Sequence, residues 1–247
     1  YLNNPFPYSC SMTKFIAFVS GKGGVGKTTS TLNVGQALVS LGKEVILVDA
    51  NIVTPNLAIQ LGFMNPEGTL NKFLRKEKSL KEITYLHESG ISLIPASPSL
   101  SEYQKTNPQK LHKIFDHLKN AADFVLVDAP SGLGYDVHQI LKNTDEVVLV
   151  VNPTLSSVMD ALKTIQLAKE SNNTIAGVIL NMTNGGKDEL SAKEVESIIE
   201  YPLLANIKYH RKVRKATHKQ VPLADLYPRS KPAREFKKVA QHLTLGQ

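Results

Sequence analysis

The sequence predicts a single-domain α/β fold, a mostly parallel sheet with helices on both faces. Three observations carry this expectation. Short apolar runs rich in Val, Ile and Phe alternate with stretches of helical periodicity along 247 residues, with no internal repeat and no long Pro/Ser/Gly linker. Four of the runs, at 44–48, 123–128, 147–151 and 175–180, end in polar residues, as strands do where an open parallel sheet holds ligand at its carboxyl edge. A glycine-rich octapeptide at 21–28 stands between a strand pattern and a helix pattern.

The elements follow in order. Residues 15–19, Phe-Ile-Ala-Phe-Val, form a short β-rich run expected to be a buried strand. After the octapeptide, residues 29–41 place Leu32, Val34, Ala37, Leu38 and Leu41 at helical spacing. The next strand, 44–48, leads to Asp49-Ala50-Asn51 and then Thr54-Pro55-Asn56-Leu57. Residues 123–128 end in Asp128, followed by Ala129-Pro130-Ser131-Gly132, and 147–151 run into Asn152-Pro153-Thr154-Leu155-Ser156-Ser157. The run 175–180 stops at Asn181. A last helical pattern over 231–245 has a thin stripe of Ala233, Phe236, Ala240 and Leu243, suited to packing on the domain core rather than to lying in a membrane interface.

The octapeptide reads Gly21-Lys22-Gly23-Gly24-Val25-Gly26-Lys27-Thr28, the phosphate-loop pattern. Between strand and helix start, successive backbone N–H groups and the positive helix end face an anion, and glycines remove the Cβ atoms that would block its approach. Lys27 can reach β- and γ-phosphates, and the Thr28 hydroxyl can ligate Mg²⁺. The loop therefore predicts nucleoside triphosphate binding by residues 21–28 with Thr29 beside them.

Lys22 is a second loop lysine. One phosphate lysine suffices locally, so Lys22 is expected to project outward, towards a second nucleotide. With Lys22-Gly-Gly-x-Gly-Lys27-Thr28, the sequence resembles the MinD/ParA family of deviant Walker A ATPases, and the Asn152 to Ser157 phrase is similar to the MinD branch. The resemblance covers almost the whole chain. It implies ATP with Mg²⁺ and an ATP-dependent homodimer, with Lys27 on β/γ-phosphate in cis and Lys22 acting on the partner's phosphates. It also implies Mg²⁺ held by Thr28 and, through water, by Asp128, with Asp49 in its outer shell. Residues 49–57 and 128–132 resemble the family's two switches, and Asn181 stands where the family commonly meets adenine.

Two departures modify that picture. The first switch of the family reads Asp-x-Asp, its second carboxylate orienting the attacking water, whereas this chain has Asn51 there. An asparagine keeps the shape and can bond water but cannot accept a proton. Slow hydrolysis by Lys22, Lys27 and Asn51 is the expectation, with a tolerated variant as the alternative. Near the C-terminus, Ile207-Lys208-Tyr209-His210-Arg211 replaces the family's proline and acidic residue beside adenine.

Charge divides the chain. Residues 1–207 hold 18 Lys or Arg against 20 Asp or Glu, a net of −2, whereas 208–247 hold 11 against 2, a net of +9. Residues 208–219 carry six Lys or Arg and no acid. This basic C-terminal segment, 208–247, could meet nucleic-acid phosphates or anionic lipid, or be a solvated face. The lone cysteine, Cys10, allows no intrachain disulfide and no thiolate pair, consistent with a cytoplasmic protein and unlike iron–sulfur relatives of this ATPase class. His112 and His117 are expected on the polar side of a helix. No apolar run approaches a membrane span, so the expected location is cytoplasmic, with a peripheral position at the inner face of the cell membrane as an extension. Residues 1–11 read as an irregular extension or expression remnant, and 12–247 as one phosphate-loop domain.

Three function classes follow. The first is a MinD-like ATP-dependent dimerising switch that positions a cell-division or other polar assembly by recruiting a regulatory or cargo protein. The second is a ParA-like partition ATPase that binds DNA nonspecifically through its basic segment. The third is a nucleotide-binding scaffold with negligible turnover. The Asn152 to Ser157 phrase favours the first.

Overall fold

Alternation of side chains along each strand sorts the core into two apolar layers. In Lys14–Val19 (β1), Phe15, Ala17 and Val19 bury on one face and Ile16 and Phe18 on the other. The same division recurs in Val45–Asp49 (β2), Phe124–Asp128 (β5) and Glu146–Val151 (β6). A strand buried on both faces reads as a continuous apolar run, which is why these four were legible in the sequence. The protein is described here by a computed structural model covering residues 12–245. The expected irregular stretch 1–11, with Cys10, lies outside the described residues.

Three shorter or edge strands, Tyr85–Leu86 (β3), Ser92–Ile94 (β4) and Leu203–Lys208 (β8), and the long Thr174–Thr183 (β7) complete one eight-stranded sheet, ordered β3-β4-β2-β5-β1-β6-β7-β8. All neighbours are parallel except β3 with β4. The expectation of a single-domain, mostly parallel α/β sheet holds. β1 lies between β5 and β6, where the strand order reverses, so a crevice opens at its carboxyl end.

Helices cover both faces. Leu70–Leu74 (α3), Leu80–Ile83 (α4), His112–Leu118 (α6), Tyr135–Leu141 (α7), Leu155–Glu170 (α8) and Ala192–Ile199 (α9) bury side chains against one. Lys27–Ser40 (α1), Leu57–Gln60 (α2), Arg211–His218 (α10), Leu223–Leu226 (α11) and Lys231–Thr244 (α12) pack on the other. Leu100–Gln104 (α5) buries none of its side chains fully. His112 and His117 are exposed on α6, as expected.

The final helix packs as its thin stripe predicts: Ala233, Phe236, Ala240 and Leu243 are buried with Val239, and Arg234, Lys237 and Lys238 face solvent. Ser230 caps its N-terminus, its hydroxyl accepting from the Ala233 N–H. No described helix is long and apolar enough to cross a membrane.

Two boundaries differ from expectation. α1 begins at Lys27 rather than at residue 29, because Gly26, at φ 89°, turns the chain directly into the first helical residue. β7 continues past 180 to Thr183, because β8 pairs beside it, Asn181 opposite Ile207 and Thr183 opposite Lys208. Asn181 therefore sits within a strand, not after one.

Candidate functional site

The phosphate loop follows β1 into the crevice and is held by contacts from two sides. Gly21 packs on the backbone of α8 so closely that a Cβ there would lie 2.7 Å from the Asp160 carbonyl oxygen. Gly26 packs on β7, where a Cβ would lie 2.2 Å from Asn181 Nδ2. The Asn181 amide donates to the Val25 carbonyl oxygen at 2.8 Å, and Asn152 Nδ2 donates to the Asn181 carbonyl oxygen at 3.1 Å. The phosphate loop, β7 and the residue that follows β6 thus share one bonded cluster. Gly24, at φ 78°, has nothing within 4 Å of its missing Cβ, so the loop interior is open to a ligand.

Below the loop stand the acids. Asp49 and Asp128 are register partners across β2 and β5, which places both carboxylates at one level. Both are fully buried. Lys27, itself buried, forms an ion pair with Asp128 Oδ1, and the Thr28 hydroxyl donates to Asp128 Oδ2 at 2.6 Å. Asp49 accepts from the backbone N–H groups of Asn56 and Leu57, each at 3.0 Å, and of Asn51 at 3.2 Å. Burial, followed by the nearby Asp128 charge, pushes the Asp49 carboxyl up to about 7 despite those donors and Lys27. The site therefore concentrates negative charge that a cation would relieve.

Asn51 lies above Asp49 and folds back on its own loop. Its Nδ2 donates to the Thr54 carbonyl oxygen at 2.9 Å, and its Oδ1 accepts from the Thr54 N–H at 3.2 Å. An aspartate could make the second bond but not the first. Lys22 stands apart from Lys27: it is exposed at the loop mouth, and its Nζ donates to Ser156 Oγ, at the start of α8, at 3.0 Å. The contact residue Ser156 had no assigned role in the sequence, although it lies in the phrase after β6.

A cavity of about 1000 Å³ adjoins the loop. Thr29 of α1, Asn181 and Met182 of β7, Ile207 of β8, Tyr209 and residues of α10 line it. Sequence reasoning located the Tyr209-His210-Arg211 departure but not the cavity, which forms only when β8 and α10 are brought beside α1.

The residues fit a magnesium nucleotide on this structure's own terms. Glycines at positive φ leave the backbone N–H groups and the start of α1 clear for phosphate oxygens, and Thr28, Asp49 and Asp128 offer hard oxygen donors. Among the described residues no three His, Cys, Asp or Glu cluster as a metal site.

A glycine-rich turn at a topological switch point, with a buried lysine on strand-end acids, defines a phosphate-loop nucleotide-binding protein. Comparisons with known proteins narrow the class. Residues 11–244 match the family described as ParA: NUBPL iron-transfer P-loop NTPase. An uncharacterised ATP-binding protein of Methanocaldococcus jannaschii is 34% identical over 228 residues, covering 92% of this chain and 86% of that one. The septum site-determining protein MinD of Pyrococcus horikoshii, solved with Mg-ADP, superposes with a TM-score of 0.90 at 31% identity, covering 94% and 96% of the two chains. The MinC:MinD cell division complex of Aquifex aeolicus gives 0.83 at 28%, covering 95% and 96%. This chain belongs to the ParA family of P-loop NTPases, in which MinD homologues place division sites.

Proposed function

We propose that this protein is a MinD-like, ATP-dependent dimerising switch that positions a cell-division or other polar assembly. The observation that carries the reading is the divergence of the two loop lysines. Lys27 turns inward, buried on Asp128, where it can serve the phosphates of its own site. Lys22 turns outward and, among the described residues, meets only the Ser156 hydroxyl, leaving its charge available to a second copy. Desolvated between subunits, such a cation would favour charge developing on the partner's triphosphate.

Mg²⁺ would be held by Thr28 and, through water, by Asp128, with Asp49 in the outer shell; when bound it neutralises phosphate charge and orients the triphosphate. This chain's own residues then do the rest. Gly21 to Thr29 cradle the phosphates with backbone N–H groups. Lys27 must leave Asp128 to reach phosphate, so nucleotide binding exchanges an internal ion pair for an external one. Asn51 takes the position at which the family's switch carboxylate would orient the water, and an amide cannot accept its proton, which supports slow turnover. The MinC:MinD complex of the Aquifex relative supports recruitment of a regulatory protein by the dimer. A cytoplasmic protein peripheral to the inner face of the cell membrane accords with that role.

Sedimentation with ATP, ADP and no nucleotide tests the reading. The dimer should form with ATP alone, and Lys22→Ala should bind ATP yet lose nucleotide-dependent dimerisation or hydrolysis. Normal dimers with normal turnover in that variant would refute the trans role. The basic segment supports a second reading, a ParA-like ATPase on DNA, because α10 exposes Arg211, Lys212, Arg214 and Lys215. Vesicle pelleting beside salt-dependent DNA retention separates the two.

A further inference from the structure

Lys22 is exposed at the mouth of the phosphate loop, and among the described residues it pairs with no carboxylate. The acid beside the loop is Asp160, whose backbone packs on Gly21, and its carboxylate pairs instead with Lys163 at 3.5 Å. What Lys22 meets is a neutral group, Ser156 Oγ, at 3.0 Å. A hydroxyl orients an ammonium without cancelling its charge, and it occupies only one of the N–H donors that the ammonium offers.

Ser156 is set in a rigid frame. It stands in the first turn of α8, a helix of 16 residues. Thr154 caps that turn, its hydroxyl accepting from the Ser157 N–H at 3.3 Å, and the buried Ser157 hydroxyl accepts from the Asn152 N–H at 3.0 Å. Gly21 packs on the same helix one turn further along, at Asp160. The backbone is thus fixed on both sides of the Lys22–Ser156 bond, so the bond orders chiefly the lysine side chain, which has much rotamer freedom to lose. Leu155 and Met159 expose apolar side chains next to Ser156, at 59% and 47%. A second copy closing over this face would exclude water from the cation and strengthen its attraction to phosphate.

We propose that Ser156 is a positioning residue for Lys22: it holds the ammonium at the loop mouth, ordered in advance and still fully charged, for the nucleotide of a second copy. The inference rests on the dimerising-switch reading above. Ordering the lysine beforehand removes part of the entropy cost of association. An alanine at 156 would leave the lysine unordered, and an aspartate would order it but neutralise the charge that the second nucleotide needs.

Sedimentation of the full chain with Mg²⁺ and ATP over a range of protein concentrations tests this with three variants. Ser156→Ala should raise the concentration at which half the protein is dimeric by about three- to tenfold, the worth of one ordinary hydrogen bond. Ser156→Thr keeps the hydroxyl and should stay near the parent. Ser156→Asp should dimerise no better than the alanine variant, although an acid in the first turn suits the helix dipole and should leave the thermal midpoint unchanged or raised. A serine that served α8 alone would not move stability and dimerisation in opposite directions. ATP affinity measured below the dimerising concentration should match the parent in all three. Parent-like dimers from Ser156→Ala or Ser156→Asp, a threonine variant as poor as alanine, or a loss of ATP affinity in the monomer each overturn the positioning role alone. Failure of the unmodified chain to dimerise with ATP overturns the switch reading, and the positioning role with it.

Discussion

Gly26→Ala isolates what holds the phosphate loop in shape. At φ 89° an alanine pays left-handed strain of about 1–2 kcal/mol. Its Cβ would also lie 2.2 Å from Asn181 Nδ2, which must move and give up its 2.8 Å bond to the Val25 carbonyl oxygen. Leaving that buried carbonyl unpaired adds about 1–3 kcal/mol. The total is about 2–5 kcal/mol, read as a lowered urea midpoint at constant m. Gly42 supplies the reference: its φ is 79° but nothing lies within 4 Å of its missing Cβ, so Gly42→Ala should show the strain alone. In an Asn181→Ala background, Gly26→Ala should likewise fall to about 1–2 kcal/mol. If Gly26→Ala costs no more than Gly42→Ala, or the Gly26–Asn181 cycle is additive, the packing argument is wrong.

Three further outcomes are expected. Asn51→Asp should raise the single-turnover rate of ATP hydrolysis, by restoring a proton acceptor, while losing the bond to the Thr54 carbonyl and about 0.5–1.5 kcal/mol of stability; an unchanged rate would sink the link between Asn51 and slow turnover. Lys27→Met removes the buried partner of Asp128 and should weaken triphosphate binding by about two orders of magnitude, matching the roughly 3 kcal/mol that a hydrogen bond to a charged group supplies; calorimetry giving unchanged ATP affinity would contradict its phosphate role. Phe236→Ala should destabilise the fold by about 3–5 kcal/mol, since the ring is 2% exposed between α1 and the sheet; a thermal midpoint within a degree of the parent would mean that α12 is not part of the core.

Features set by near neighbours along the chain are legible in the sequence, and features set by distant ones are not. β1, β2, β5 and β6 were legible because strands buried on both faces must be apolar throughout, and that demand is local. β3 and β4, with two and three residues, are too short for any period to register. β8 exposes Asn206 and Lys208 as an edge strand and so lacks a continuous apolar run. The final helix was legible because its stripe of Ala233, Phe236, Ala240 and Leu243 follows from helical geometry alone.

By itself, then, the sequence determined the phosphate loop, the alternation that yields a parallel sheet, and the excess of charge after residue 207. Each depends on neighbours along the chain. Tertiary structure decided the partners. Lys22 rests on Ser156, 134 residues away, and Asn181 on Val25, 156 away. Asp49 reaches the level of Asp128 only through strand register, and the basic residues of α10 become a cavity wall only beside Thr29. Contacts that bridge such separations are set by how the sheet and helices pack, and no spacing in the sequence encodes them.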